Sequence, residues 1–241
     1  MLSAPKEEYQ THIGNSLSQW DKISNRFLPS LTRLFDMSEV VIDQGIRRMI
    51  FSHDVGKLTE RWQKIMSDIA DGKKAIPRPP HSSLGAAYLL EWNKNQGIND
   101  NLGKASIFAV LIHHIDSGIA NESLETPDSQ IIQKLFIQGG DNIPWHKDGD
   151  SVLKTINFNE SAIELKKVTL NSMVELSDTL REWAKCSKPL DQHKHRLLSS
   201  SLHHILKICD WRAATEREAD DKEKEVRKSI LEVLLNGGIL A

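Results

Sequence analysis

"FSHDVGK", residues 51 to 57, places a histidine, a carboxylate and a lysine within five positions, behind an apolar run and around a glycine. The helix that leads into it is read from spacing. Ile42, Ile46, Met49 and His53 recur at intervals of three or four, so His53 lies on the apolar face. Gly56 followed by Thr59 marks a helix stop and a new N-cap. A lone histidine on an apolar face is most often a core imidazole bonded to a neighbour. The acid resists that plain account, because Asp54 sits at the negative end of the helix dipole. A divalent cation removes the objection, since it requires neutral imidazole and ionised carboxylate together.

A cation needs further ligands, and other helical segments offer them. "FAVLIHHID" (108–116) ends an almost uncharged helix with His113 and His114. A helix apolar on all sides is buried, so both imidazoles end in or beside the core. "LKICDWRAA" (206–214) carries Asp210 inside an apolar stretch, where an isolated carboxylate costs several kcal/mol unless paired or metal-bound. His81 follows Pro79-Pro80 and heads "SSLGAAYLL"; His12 lies near the start of the first helix. The chain order is therefore His, His-Asp, His, His-His, Asp.

The chain of 241 residues is 39% hydrophobic with net charge −2, enough for one well-packed unit and without a global basic field. Cys186 and Cys209 form no CxxC pair, which fits a reducing, cytoplasmic setting. No apolar run approaches the ~20 residues that span a bilayer, and "MLSAPKEEYQ" has no signal-peptide core. No GxxxxGK[ST] occurs, so the chain cannot power its own unwinding of a duplex. Strand alternation is scarce. Helical patterns cover 8–27, 39–54, 59–70, 82–96, 102–116, 128–138, 160–185 and 191–235, and the predicted fold class is all-α. "DGKKAIPRPP" (71–80), 118–129 and 139–151 are predicted loops, the last one mobile. One domain is expected over 1–241, with a core about 8–215 and a C-terminal helix about 216–241.

The ligand order and "HDVGK" resemble the HD phosphohydrolase superfamily. The early His12, the single His81, the His113-His114 doublet and the closing "CDWRAA" most resemble the stand-alone HD nuclease of type I CRISPR interference. That resemblance implies a compact HD-domain helical bundle. It also implies two divalent metal ions, from among Mn, Ni, Co, Fe, Zn and Mg. His12, His53, Asp54 and Asp210 would hold one ion. Asp54, His81, His113 and His114 would hold the second, with Asp54 bridging, as carboxylates do between metals about 3.5–4 Å apart. The implied activity is hydrolysis of single-stranded DNA in antiviral defence, with a separate helicase subunit and a guide-RNA surveillance complex as partners and no membrane. The alternative is a phosphohydrolase acting on nucleotides or cyclic dinucleotides. A third possibility is a non-catalytic HD-like module that uses metal for folding or regulation.

Lys57 is expected beside the scissile phosphate, with Asp54 the second catalytic residue. Lys73, Lys74 and Arg78, in the loop before His81, and Arg212, after Asp210, are candidates for nucleic-acid binding. Arg47 and Arg48 are expected to face solvent. The second doublet, His203-His204, is read as structural, His193 and His195 as solvated, and His146 as exposed. Trp20, Trp62 and Trp211 are read as core or groove walls.

Overall fold

The computed structural model describes residues 1–5, 7–73, 81–114, 142–185 and 188–215. The expected helix 128–138, Lys74, Arg78, Cys186 and the C-terminal segment 216–241 lie outside the described residues. Helices dominate: α1 (Tyr9–Phe35), α2 (Glu39–Ser52), α3 (Glu60–Ala70), α4 (Ser82–Asn95), α5 (Asn101–Leu111), α6 (Gly149–Thr155), α7 (Leu170–Ala184) and α8 (Pro189–Thr215). The fold class is all-α, as the hydrophobic periodicity indicates. The described residues form no sheet beyond an N-terminal hairpin, β1 (Leu2–Ala4) against β2 (Glu7–Glu8).

Tyr9, Ile13, Leu17, Trp20 and Ile23 make the buried stripe of α1, and Ile42, Ile46, Met49 and Ile50 that of α2. Such stripes drive helix packing by removing apolar surface from water. α8 packs against both α1 and α5, α1 against α2, and α4 against α5. α4 is buried nearly all round, with Leu84, Ala86, Ala87, Tyr88 and Trp92 in the core. One hydrophobic cluster runs from Tyr9 to Cys209, so residues on both sides of the polar stretch near 139–160 share it. Trp62, Ile65 and Met66 of α3 form a smaller cluster, against which Leu2 of the hairpin packs.

Several expectations are corrected. α1 does not stop near residue 27 but continues through Pro29 to Phe35. Asn25 and Pro29 are both exposed, so the carbonyl deprived of its donor can be hydrated. Thr59 does cap α3, its hydroxyl accepting the Trp62 N–H. The helix expected from 160 begins only at Leu170, behind a capping box of Thr169 and Ser172.

Arg48 does not face solvent. It is buried, and its Nη1 donates to both carboxylate oxygens of Glu160 at 2.9 and 3.0 Å. Arg47 is part-exposed and pairs with Asp43 and Asp21. His195 is not simply solvated: its ring stacks on Trp183 at 3.6 Å and 8°. His193 is exposed. His146 is half-buried, and its backbone N–H donates to Leu58 O at 2.9 Å. Glu60 N–H donates to Pro144 O at 3.0 Å, so residues 144–146 are pinned to the start of α3 rather than free. Trp20 and Trp62 are core residues, and Trp211 is half-buried under the Lys207 ammonium, 4.5 Å from its ring.

Candidate metal centre

The seven ligand candidates come from five places in the chain and meet in one place. His12 stands in the first turn of α1. His53 terminates α2, and Asp54 opens a 3-10 turn, Val55–Leu58. His81 precedes the first residue of α4, His113 and His114 follow the end of α5, and Asp210 lies on α8. Asp54, His81, His113 and His114 each offer an atom within 4.8 Å of the others, and so do His12, His53 and Asp210.

Two of these histidines are oriented by the same local device. A helix end leaves its last carbonyls without amide partners. His53 Nδ1–H donates to Ile50 O at 2.6 Å, and His113 Nδ1–H to Val110 O at 2.5 Å, each three residues back. The bond engages a carbonyl of the helix's last turn, fixes the tautomer and turns Nε2 inward as a lone pair. His12 Nδ1 faces Glu7 Oε1 at 3.2 Å; a carboxylate can only accept, so the ring donates there too.

Asp54 lies between the two sets. Its Oδ2 is 2.6 Å from Lys57 Nζ, 3.3 Å from His12 Nε2 and 3.5 Å from His53 Nε2. Its Oδ1 is 3.1 Å from His81 Nε2 and 3.8 Å from His113 Nε2. Asp210 Oδ1 is 3.1 Å from His12 Nε2 and 3.8 Å from His53 Nε2. His114 Nε2 approaches His81 Nε2 to 2.7 Å. All seven side chains are buried except those of His114 and Asp210, which reach solvent in part.

Two glycines permit this convergence. A Cβ on Gly56 would stand 2.3 Å from the His81 carbonyl oxygen and 2.8 Å from its Cα. A Cβ on Gly85 would stand 2.6 Å from the carbonyl oxygens of both Ser52 and His53. The glycine within "HDVGK" is thus needed for backbone approach, and α4 rests directly on the His-Asp turn.

The electrostatics ask for positive charge. Burial works against ionised Asp54, yet the neighbouring His53, Lys57, His113 and His12 hold its carboxyl well below the ordinary range. Asp210 is likewise held low against burial by His12 and His53. Burial pushes the His81 imidazole down to about 3 and lowers His113 and His114 as well. At His12 burial is outweighed by Asp210, Asp54 and Glu7, which raise it well above its ordinary value.

The buried Nε2 atoms of His12, His53 and His113 have no aligned hydrogen-bond partner. Lone pairs aimed at carboxylate oxygens repel unless a cation or a proton stands between them. The donor set of imidazoles plus two carboxylates suits a divalent transition metal better than an all-oxygen magnesium site. The residues present therefore fit divalent metal binding.

Sequence reasoning missed Ser3, Glu7 and Lys207. Ser3 and Glu7 reach the centre from the hairpin, which carries no alternation signal. Ser3 Oγ lies 3.5 Å from Asp54 Oδ2 and 3.2 Å from Lys57 Nζ. Lys207 is buried, and its ammonium donates to His113 O at 3.1 Å. Its position three residues before Asp210 on α8 was the available signal. His203 and His204 belong to neither ligand group; His204 packs edge-on to Phe27. Lys73 is exposed and pairs with Asp68 at 2.6 Å and Asp71 at 3.7 Å. Arg212 is half-buried on the last turn of α8.

A family model described as "Cas3, HD domain" matches residues 10–219. The chain is similar to a protein of Pyrococcus furiosus named CRISPR-associated endonuclease Cas3-HD, 25% identical over 225 residues, covering 87% of this chain and 89% of that one. Its fold is similar to that of a solved CRISPR-associated Cas3 HD domain protein from Methanocaldococcus jannaschii. That match has a TM-score of 0.61 and 19% identity, over 85% of this chain and 98% of the other. Among the described residues no helix is long and apolar enough to cross a membrane.

Proposed function

The chain belongs to the Cas3 HD domain family, and from that premise we propose that it is a metal-dependent nuclease that hydrolyses phosphodiester bonds of single-stranded DNA in CRISPR interference. A separate helicase subunit and a guide-RNA surveillance complex would deliver the unwound strand. The relative named as a CRISPR-associated endonuclease supports the reaction class. The observation that carries the reading is Asp54, with one carboxylate oxygen toward His12 and His53 and the other toward His81 and His113.

His12, His53, Asp54 and Asp210 would hold one divalent ion, and Asp54, His81, His113 and His114 the other. When bound, the ions supply Lewis acidity toward a phosphodiester and acidify water at neutral pH. The chain's own groups do the rest. Backbone carbonyls and carboxylates fix the imidazole tautomers, and burial keeps His81, His113 and His114 unprotonated and able to ligate. Lys57, part-exposed beside Asp54, presents an ammonium to a phosphate oxygen where charge develops. The part-exposed side chains of His114 and Asp210 mark the edge from which a substrate would approach the centre.

The test is cleavage of end-labelled single-stranded DNA by protein loaded with manganese, nickel or cobalt, beside duplex DNA, RNA, nucleotides and cyclic dinucleotides. Single-stranded DNA is expected to be cut, and Asp54→Ala to cut at least about 100-fold more slowly. Fast turnover of a nucleotide with DNA untouched would replace the nuclease reading by the small-molecule one. Equal cleavage by Asp54→Ala would reject the site.

A further inference from the structure

We propose that Glu7 is a positioning residue of the metal centre, with the N-terminal hairpin as the element that delivers it. This rests on the metal-centre reading above. Four histidines present Nε2 to the two carboxylates of the centre, and for three of them, His12, His53 and His113, the other nitrogen is held by an acceptor. His53 and His113 are held by neutral carbonyls of their own helices. His12 has no such carbonyl, because it stands at the beginning of its helix, where amide donors rather than carbonyls are left over. The chain supplies a buried carboxylate from outside the helix instead, Glu7 Oε1 at 3.2 Å from His12 Nδ1. A carboxylate accepting from the far side of an imidazole fixes the tautomer and makes Nε2 a stronger donor to metal.

The hairpin is fastened to the centre rather than draped over it. Gln63 of α3 accepts the Leu2 N–H at 2.9 Å, and its amide donates to Leu2 O at 2.9 Å and to Lys57 O at 2.8 Å. Tyr9 N–H donates to Met1 O at 2.8 Å. One glutamine therefore ties the strand pair carrying Glu7 to the turn carrying Asp54 and Lys57. A buried carboxylate is costly unless it is hydrogen-bonded, and Glu7 meets that requirement in part through His12.

Cobalt(II) titration of the full chain, followed by its visible absorption and by chelator competition, separates the outcomes. Glu7→Gln keeps an acceptor but loses the charge, and should weaken cobalt binding about 10-fold; Glu7→Ala should weaken it up to about 100-fold. Glu8→Gln removes the same charge one residue away on an exposed side chain and should leave affinity unchanged. A zinc-loaded wild-type sample should show, by long-range proton–nitrogen NMR, His12 protonated at Nδ1 and metal-bound through Nε2; this needs no variant to fold. Wild-type affinity in Glu7→Gln and Glu7→Ala, or the opposite His12 tautomer, overturns the role of Glu7. Failure of wild type to bind cobalt or zinc overturns the metal reading instead.

Discussion

At Asp54 one carboxylate faces two sets of imidazoles, and the roles of individual residues separate around it. Its Oδ2 faces His12 and His53 and its Oδ1 faces His81 and His113, so removing it takes a carboxylate oxygen from beside both sets, whereas His113 and Asp210 each belong to one. Asp54→Asn should therefore lose both ions, and His113→Ala or Asp210→Asn one each, as read by elemental analysis after gel filtration. Two ions retained by Asp54→Asn would contradict its shared position. Lys57 makes a different prediction, because an ammonium cannot ligate. Lys57→Ala should keep its metal content while kcat on single-stranded DNA falls about 10- to 100-fold. A drop in metal content with kcat per bound ion unchanged would make Lys57 a structural partner of Asp54. Residue chemistry was the most legible level of the sequence. His53, Asp54, His113, His114 and Asp210 stood out as polar groups on apolar segments, a placement that needs a reason. Glu7, Ser3 and Lys207 did not, since their partners lie far away in the chain or across the N-terminal turn.

Among the elements, the contact of α4 with the His-Asp turn is the one most exposed to test. Both glycines there face backbone atoms, which cannot swing aside as a side chain can. Gly56→Ala must displace His81 or the Asp54 turn. It should cost about 1–3 kcal/mol and lower metal occupancy. Gly14→Ala is the contrast: an added Cβ there meets nothing within 4 Å on an exposed part of α1. It should raise stability by about 0.4–1 kcal/mol through a less flexible unfolded chain. Similar denaturation midpoints for the two variants would show that the close approach is not needed. Helix existence was legible from periodicity, but helix ends were not. The 8–27 pattern ended short of the true end, because the helix runs on through Pro29 on an exposed face, and the last long segment starts at Leu170, later than the pattern, because Thr169 and Ser172 cap it. Arg48 was misplaced for a related reason, since its partner Glu160 is 112 residues away and no local pattern signals it.

For the whole molecule, burying several imidazoles has a consequence for pH. Burial lowers His81 from 6.5 to about 3, and lowers His113 and His114 too. Between those values the unfolded chain binds protons that the folded chain refuses, so stability falls as pH drops. His12 does not offset this. Its folded value is raised above 6.5, so below 6.5 both states already hold the proton, and its contribution fades only as pH rises through the folded value. Asp54 and Asp210 are held low, and their contributions disappear only as the solution passes below the ordinary carboxylate value of 3.8. The window from 6.5 down toward 4 thus belongs to the buried imidazoles. Chelator-treated protein should lose Tm steadily there, at about 2–4 °C for each kcal/mol in a chain of this size. His81→Asn removes one proton from the difference and should flatten the slope by about 1.4 kcal/mol per pH unit. The same slope in wild type and His81→Asn would show that His81 titrates freely in the folded state, and a centre built on a buried neutral imidazole would then have lost one of its ligands.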